Sequence, residues 1–426
     1  MRRKTILRTL LAAALPAGLL AGCSSGDGSA PVAYVTAKNA ADITVSSAAL
    51  QQAETGSESF GLALLRQLGD GTSGNMVFSP QTLVDLLAMI LPGAKGQTAS
   101  QLSDALGTAG LDARTAAGAL GKIDASARAD GNQNSNTLDE SSDVWTDKTV
   151  KLAQSYLAAL DGAFGAGVHQ TDFQTNADGA TQAIDDLVAQ ETHGYITNLF
   201  SKGSLDASTR VVLTDAVYLD ASWADKFDPN KTMDNDFYSE SGAARPVPMM
   251  SSQAGYDYAS GKGWQLVELP YAGGKLAMDV VLPAKGTGNL KAFRDSLSAA
   301  QLNSMLSSMT KQPVQLSLPK FTTNFSPENL IQSLSALGLG DLFKDADLTG
   351  VTSDGEQLAV SQIVERAHIA VAENGTIAAA AAGGAMVTSA EAPKGVVFDA
   401  DHPFLYLIRD LSTGQLLFAG QQTSGS

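Results

Sequence analysis

The sequence has little of the side-chain chemistry on which enzymes depend. A single cysteine, Cys23, is present among 426 residues, so no disulfide can form within the chain. No G-x-S-x-G elbow, P-loop or G-x-G-x-x-G motif stands in a suitable context. The four histidines are His169, His193, His368 and His402, and none of them has the HExxH spacing of a zinc protease. A single cysteine cannot complete a Cys/His metal cluster. We therefore predict that the chain is not an enzyme and needs no metal or other cofactor.

Positive charge is also scarce. The chain has 28 Lys and Arg against 44 Asp and Glu, a net charge of -16. Nucleic-acid phosphates require a basic patch, so this balance argues against a nucleic-acid partner. The 44% share of hydrophobic residues is ordinary for a globular protein. Neither a second linker nor an internal repeat is visible, which favours one folded domain over two. We also expect the protein to be a monomer.

The N-terminus reads as an export signal. A basic start precedes an apolar run shorter than the about 20 residues that span a bilayer. The run ends in Leu20-Ala-Gly-Cys23, which resembles a bacterial lipobox, where the cysteine is lipidated. The expected location is therefore the cell envelope, at the outer membrane if the cell is Gram-negative. A plain signal peptide with an incidental cysteine is the alternative. The predicted organisation is a lipoprotein signal peptide at 1–22, a flexible tether at 23–50 and one folded domain at 51–426.

Hydrophobic periodicity predicts an α+β fold, with helices mainly in the first part and strands in the rest. Ser79-Pro80 is a strong helix start, since serine caps and proline fits the first turn. An amphipathic helix is predicted between Asp178 and Glu191, and a further one after Ser326-Pro327. The predicted strands are Val211–Leu219, Leu276–Leu282, Val314–Leu318, Ala367–Val371, Leu405–Ile408 and Leu416–Ala419.

One segment between two strand-forming regions has almost no side chains. From Ala372 to Gly384 the chain is dominated by alanine and glycine. An ordinary loop would be short and rich in Pro, Asn, Asp and Ser. Small side chains suit a segment that slides between the strands of an existing sheet. The sequence thus indicates a mechanism that depends on movement.

Seven motifs, in order and at the right spacings from about Ser57 to Ala419, resemble the serpin family. They are Asn75–Pro80 (N-x-x-x-S-P), Gly93–Thr98 (G-A-x-G-x-T), Leu213–Trp223, Leu318–Phe321 (L-P-K-F), Leu348–Val351, Asp401–Phe404 (D-H-P-F) and Phe418–Gly420. The resemblance implies three β-sheets, eight or nine helices and an exposed reactive-centre loop at about 373–397. It also implies suicide inhibition of a serine or cysteine protease: the protease cuts the loop, and the loop inserts into the main sheet while the acyl-enzyme persists.

The resemblance assigns roles within the loop. Its hinge pattern is Glu, any residue, Gly, Thr or Ser, then small residues. Counting fourteen residues from the hinge glycine puts the reactive bond at Ser389-Ala390. The loop is about three residues longer than is common in the family, so Thr388, Ala390 and Glu391 stay open as bait. Small residues favour an elastase- or subtilisin-like target, whereas Glu391 would favour a Glu-specific one. The hinge residues are Glu373, Gly375, Thr376, Ala378, Ala379, Ala380 and Ala381.

The resemblance also assigns two controls on the sheet. Lys320 and Trp223 match a latch that meets Glu373 where the sheet opens. Ser79 belongs to a gate lower down, where Asp185 and Glu365 replace the Asn and His common in the family. If close and buried, two carboxyls share a proton at raised pKa, so acid would tighten this gate. Two solvated acids are the alternative.

Two other functions compete with inhibition. A non-inhibitory serpin would act as a carrier or chaperone, but its hinge usually holds charged or bulky residues. An unrelated solute-binding lipoprotein is opposed by the ordered motifs.

Overall fold

A computed structural model describes residues 29–286, 288–376 and 395–425. Within these ranges no helix is long and apolar enough to cross a membrane. The α-helices there are α1 (Ser47–Asp70), α2 (Pro80–Ile90), α3 (Gly96–Ala105), α4 (Ala113–Gly131), α5 (Gln154–Phe164), α6 (Ala177–Glu191), α7 (Asn289–Ser296), α8 (Ala299–Ser307) and α9 (Leu330–Leu334).

The strands include all six that the sequence predicts. They are β1 (Ala33–Val35), β2 (Met76–Phe78), β3 (Thr137–Asp147), β4 (Val168–Thr171), β5 (Val211–Ser222), β6 (Met233–Tyr238), β7 (Ala244–Gly261), β8 (Trp264–Pro270), β9 (Leu276–Pro283), β10 (Thr310–Pro319), β11 (Phe321–Phe325), β12 (Val360–Ala372), β13 (Gly375–Thr376), β14 (Val396–Asp399), β15 (Phe404–Asp410) and β16 (Leu416–Gln422). The α+β class is confirmed.

Two predicted helix starts are explained by their caps. The Ser79 hydroxyl accepts a hydrogen bond from the Thr82 N–H at 3.2 Å, with Pro80 in the first turn of α2. Asn176 caps α6 in the same way, through a 3.2 Å bond from the Gly179 N–H. Every residue of α2 is buried, so this helix lies inside the core.

The strands form two hydrogen-bonded networks within the described residues. The seven-stranded sheet has the order β1-β4-β3-β5-β13-β12-β11, with additional pairing of β5 to β12. The other network has nine strands and the order β14-β10-β7-β8-β9-β15-β16-β2, with β6 on β7. The family resemblance implies three sheets. Two of them are joined in the nine-stranded network, because the 18-residue β7 pairs with β6, β8 and β10.

The seven-stranded sheet is covered on both faces. Val144, Leu213 and Ile363 point into the main helical core. On the opposite face, Ile184 and Val188 of α6 share a separate cluster with neighbours from β3 and β5. Side chains alternate between the faces of a strand, so β3, β5 and β12 supply both clusters. We call the face under α6 the outer face.

The predicted tether at 23–50 needs correction in its described part. Ala33–Val35 pair antiparallel with β4 and so form the edge of the seven-stranded sheet. The Ala30 N–H donates to the Gly179 carbonyl at 2.8 Å, and α1 begins at Ser47. Backbone pairing and apolar contacts fix residues 29–50 on the domain, and the Gly/Ser-rich composition of a linker ends near Ala30.

Candidate functional site

The predicted hinge is already paired within the seven-stranded sheet. Gly375 lies opposite Ser222 of β5 and Ala372 of β12, and Thr376 follows in register on both sides. Gly375 has φ +153°, and a Cβ there would lie 2.0 Å from the Ala221 carbonyl oxygen. Glycine is therefore required at this point of close approach.

Thr376 is buried and hydrogen-bonded under the sheet. Its side chain is 1% exposed, and its Oγ1 lies 2.5 Å from the Tyr271 hydroxyl. A charged side chain at this position would lose its hydration without gaining a partner. The structure thus selects a small hydroxyl-bearing residue where the chain enters the sheet.

The predicted latch residues are in contact. Lys320 Nζ lies 2.8 Å from Glu373 Oε2, and the Thr232 hydroxyl donates to Glu373 Oε1 at 2.9 Å. Partial burial raises the pKa of Glu373, but the hydrogen bonds from Lys320 and Thr232 outweigh it and hold the pKa below its usual value. Because Lys320 is 37% exposed, the ion pair contributes little more than about 1 kcal/mol.

Trp223 fixes the turn that leads from β12 into the hinge. Its indole Nε1–H donates to the Ala372 carbonyl at 2.9 Å, and its backbone N–H donates to Asn374 at 2.9 Å. The Phe227 N–H binds the Glu373 carbonyl at 3.0 Å. The indole stacks on Tyr271 at 4.6 Å between ring centroids. Tyr271 and Thr232 are members of this site that the sequence analysis missed.

The gate pairs Glu365 with Asp215, not with Asp185. Glu365 of β12 lies directly opposite Asp215 of β5, and both are at most 1% exposed. Glu365 accepts a hydrogen bond from the Ser79 N–H, and Asp215 accepts one from the Thr82 hydroxyl at 2.5 Å. Glu365 Oε2 and Asp215 Oδ1 have no hydrogen-bond partner among the described residues.

Burial raises the pKa values of both carboxyls in this pair. Burial raises the pKa of Asp215 to about 8, although its bond from Thr82 opposes the change. Burial, and then the charge on Asp215, raise the pKa of Glu365 well above its usual value. A proton on one carboxyl can be donated to the other, which would satisfy the two unpartnered oxygens.

Asp185 is corrected to a different role. Its Oδ1 accepts hydrogen bonds from the backbone N–H groups of Leu199 and Phe200, at 2.7 and 3.3 Å. Burial raises the pKa of Asp185, and these two bonds oppose that rise. Asp185 therefore holds the segment that follows α6. Asp215 lies inside the Leu213–Trp223 motif, and only the strand register shows that it faces Glu365.

The remaining predicted site residues lie outside the described part of the chain. They are the lipidation site Cys23, the hinge residues Ala378, Ala379, Ala380 and Ala381, and the reactive-bond residues Ser389 and Ala390.

Comparison with known proteins gives one consistent result. The family model for serpins, described as serine protease inhibitors, matches residues 55–424. Iripin-2 of Ixodes ricinus is 33% identical over 371 residues, which cover 85% of this chain and 91% of that protein. The leukocyte elastase inhibitor of Xenopus laevis is 31% identical over 375 residues, covering 85% and 96%.

Solved structures similar to this chain are also serpins. Native tengpin, a thermophilic serpin, has a TM-score of 0.81 at 20% identity, covering 92% of this chain and 97% of that one, which shows the fold. Native protease nexin-1 with heparin has a TM-score of 0.77 at 28% identity, covering 88% and 100%. The prediction that the chain is not an enzyme is confirmed, since its relatives are named as inhibitors. The matched residues, the identities and the shared fold together show that the chain belongs to the serpin family.

Proposed function

We propose that this protein inhibits a serine protease as a suicide substrate. The protease cuts the reactive-centre loop, forms an acyl-enzyme, and is trapped when the loop inserts between β5 and β12. The observation that carries this proposal is the position of Gly375 and Thr376, which are already paired between those two strands. The loop needs only to continue a strand that has begun.

The sheet offers a net gain of hydrogen bonds to the inserting strand. Below the hinge, β5 and β12 pair directly in parallel, from Val211–Val360 to Val217–Ala367. Insertion would replace this one parallel ladder by two antiparallel ladders, one on each side of the new strand. Antiparallel pairing is slightly more stable per residue, and each added bond contributes about 1 kcal/mol net. Alanine and glycine would pass through with little steric resistance.

The register defines how far the loop would travel. Gly375 lies opposite Ser222, so an unbroken antiparallel strand would place residue 386 opposite Val211, at the other end of β5. Twelve residues at about 3.3 Å each span about 40 Å. A protease acylated at Ser389 would be carried to the far end of the sheet. Displacing its catalytic groups by about 1 Å can slow deacylation about 100-fold.

The target and the anchor are parts of the same proposal. The small residues around Ser389-Ala390 favour an elastase- or subtilisin-like protease, and one relative is named a leukocyte elastase inhibitor. The lipobox-like Leu20-Ala-Gly-Cys23 supports a bacterial lipoprotein held at the cell envelope through Cys23. An anchored inhibitor would protect that surface from proteases.

A gel experiment tests the proposal. A Cys23→Ser variant is incubated with elastase, subtilisin, trypsin and chymotrypsin, and the expected product is an SDS-stable complex with one of them. Mass spectrometry of the released peptide identifies the reactive bond. The matched control is Thr376→Arg, which should be cleaved without forming the complex. Cleavage of the unmodified hinge without any complex would contradict inhibition and favour the carrier or chaperone alternative.

A further inference from the structure

Four side chains form a row across the outer face of the seven-stranded sheet. Strand pairing places Asp139 of β3 opposite Tyr218 of β5, and Asn324 of β11 opposite His368 of β12. The direct pairing of β5 with β12 ends one residue before Tyr218 and His368, which therefore continue side by side. The row crosses the gap through which an inserted loop must pass.

Two side chains from the segment after α6 lie on this row. His193 Nε2 lies 2.7 Å from Asp139 Oδ2, and its ring centroid is 5.0 Å from that of Tyr218. The Tyr195 ring lies 5.0 Å from Tyr218 and 5.4 Å from His368, nearly parallel to the His368 ring at 24°. Tyr195 thus contacts both strands that must separate.

The backbone that positions His193 and Tyr195 is conformationally strained. The Gly194 N–H donates to the Ala189 carbonyl at 2.8 Å and the His193 N–H donates to Gln190, a helix-ending motif that usually has glycine where His193 stands. His193 has φ +51°, a left-handed conformation that costs a non-glycine residue about 1 kcal/mol. The Thr192 hydroxyl closes the turn by accepting from the Ile196 N–H at 3.2 Å. Strained residues of this kind cluster at functional sites.

We propose that His193 and Tyr195 act as a strap that limits the rate of loop insertion. The inference rests on the proposed function. In the register of β13, residue 379 would reach the level of Tyr218 and His368, three residues beyond Thr376, on the outer face. An inserted strand would hold β5 and β12 about 9.6 Å apart at this level, twice the spacing of neighbouring strands. Tyr195 could keep both contacts at that distance only if its ring lay almost on the line between Tyr218 and His368. Residue 379 would enter at that place on the same face, so at least one contact must break first.

The strap makes Tyr195 a positioning residue with a measurable effect. The loss of one aromatic contact corresponds to a rate change of about threefold to tenfold. Because Tyr195 is 47% exposed, its removal leaves no buried cavity. Its effect should therefore appear in the rate of insertion more than in global stability.

The experiment uses the full chain and a synthetic peptide of residues 376–389, added in excess as a competing strand. Its incorporation is followed on native gels. Tyr195→Ala should take up the peptide about threefold to tenfold faster than the unmodified protein, and Tyr195→Phe should stay within about twofold of it, since the ring is retained. Met233→Ala, which removes a 68% exposed side chain on β6, is the matched control and should change nothing.

His193→Gly separates the strap from a purely structural role. Glycine relieves the left-handed strain and improves the helix end, so a structural role alone predicts an unchanged or slower uptake. A strap predicts faster uptake, because the contacts with Asp139 and Tyr218 are lost.

Three outcomes are distinguishable. Faster uptake in Tyr195→Ala and His193→Gly, with Tyr195→Phe unchanged, supports the strap. Wild-type uptake rates in both variants would overturn the strap and leave the inhibitory mechanism intact. If the unmodified protein neither takes up the peptide nor forms an SDS-stable protease complex, the proposed function fails, and the strap fails with it.

Discussion

The gate carboxyls make the stability of the native protein depend on pH in a predictable direction. Asp215 and Glu365 face each other across β5 and β12 with raised pKa values, so the folded protein keeps protons that the unfolded chain has lost. This stabilisation is fully present below the unfolded pKa of about 4. It is lost as the pH rises through the folded pKa, which for Asp215 is about 8.

The magnitude follows from proton linkage. Each proton held only by the folded state lowers the free energy of unfolding by about 1.4 kcal/mol per pH unit as the pH rises. For Asp215, whose folded pKa is about 8, that is about 3 kcal/mol between pH 5 and pH 7. Among the charged neighbours of Asp215, Arg128 lowers its pKa and Asp143 raises it. Burial also raises the pKa values of Glu140 and Asp85, which therefore add to the total dependence of the unfolding free energy on pH.

Glu365→Gln isolates one proton. The amide oxygen can still accept the Ser79 N–H, and the amide cannot titrate. Urea unfolding from pH 5 to pH 7 should show a smaller slope than in the unmodified protein, with about 1.4 kcal/mol per pH unit as the upper limit for one proton. Glu328→Gln, an exposed substitution, should leave the slope unchanged. An unchanged slope in Glu365→Gln would refute the buried, protonated pair.

Three further variants test other contacts. Lys320→Met removes the partly exposed partner of Glu373 and should speed the spontaneous loss of inhibitory activity about fivefold at most. The loss is measured as residual inhibition after timed incubation, and no change would mean that the latch does not restrain the hinge. Gly375→Ala should lower the melting temperature by several degrees, because its Cβ would meet the Ala221 carbonyl; an unchanged value in calorimetry would contradict the pairing of β13. Asp185→Ala should destabilise the protein by about 1–3 kcal/mol in urea, since two buried N–H groups lose their acceptor, whereas Asp185→Asn should restore most of the loss.

Local chemistry made much of the fold predictable. Ser79-Pro80 begins α2 because a cap and a proline act within one turn. The strand predictions rest on alternating and β-branched residues, and all six fall within β5, β9, β10, β12, β15 and β16. The contact between Lys320 and Glu373 is predictable only from the family resemblance, because no local sequence pattern connects residues so far apart in the chain.

The misses concern features that depend on pairing between distant segments. Ala33–Val35 follow directly on a Gly/Ser-rich stretch, and three residues are too few for a strand pattern, so only their pairing with β4 identifies them as a strand. Sequence position pairs Glu365 with Asp185, whereas the strand register selects Asp215. No sequence pattern predicts a role for Tyr195, because that role depends on its contacts with Tyr218 and His368, which lie on two different strands.

The central claim is that a cleaved loop becomes a new strand between β5 and β12, and a crystal structure of the loop-cleaved protein tests it most directly. The expected result is a strand that continues the register of Gly375 opposite Ser222 until residue 386 lies opposite Val211. Residue 379 should then separate Tyr218 from His368, and Glu365 should no longer face Asp215. A cleaved protein in which β5 and β12 keep their direct parallel pairing would contradict the account.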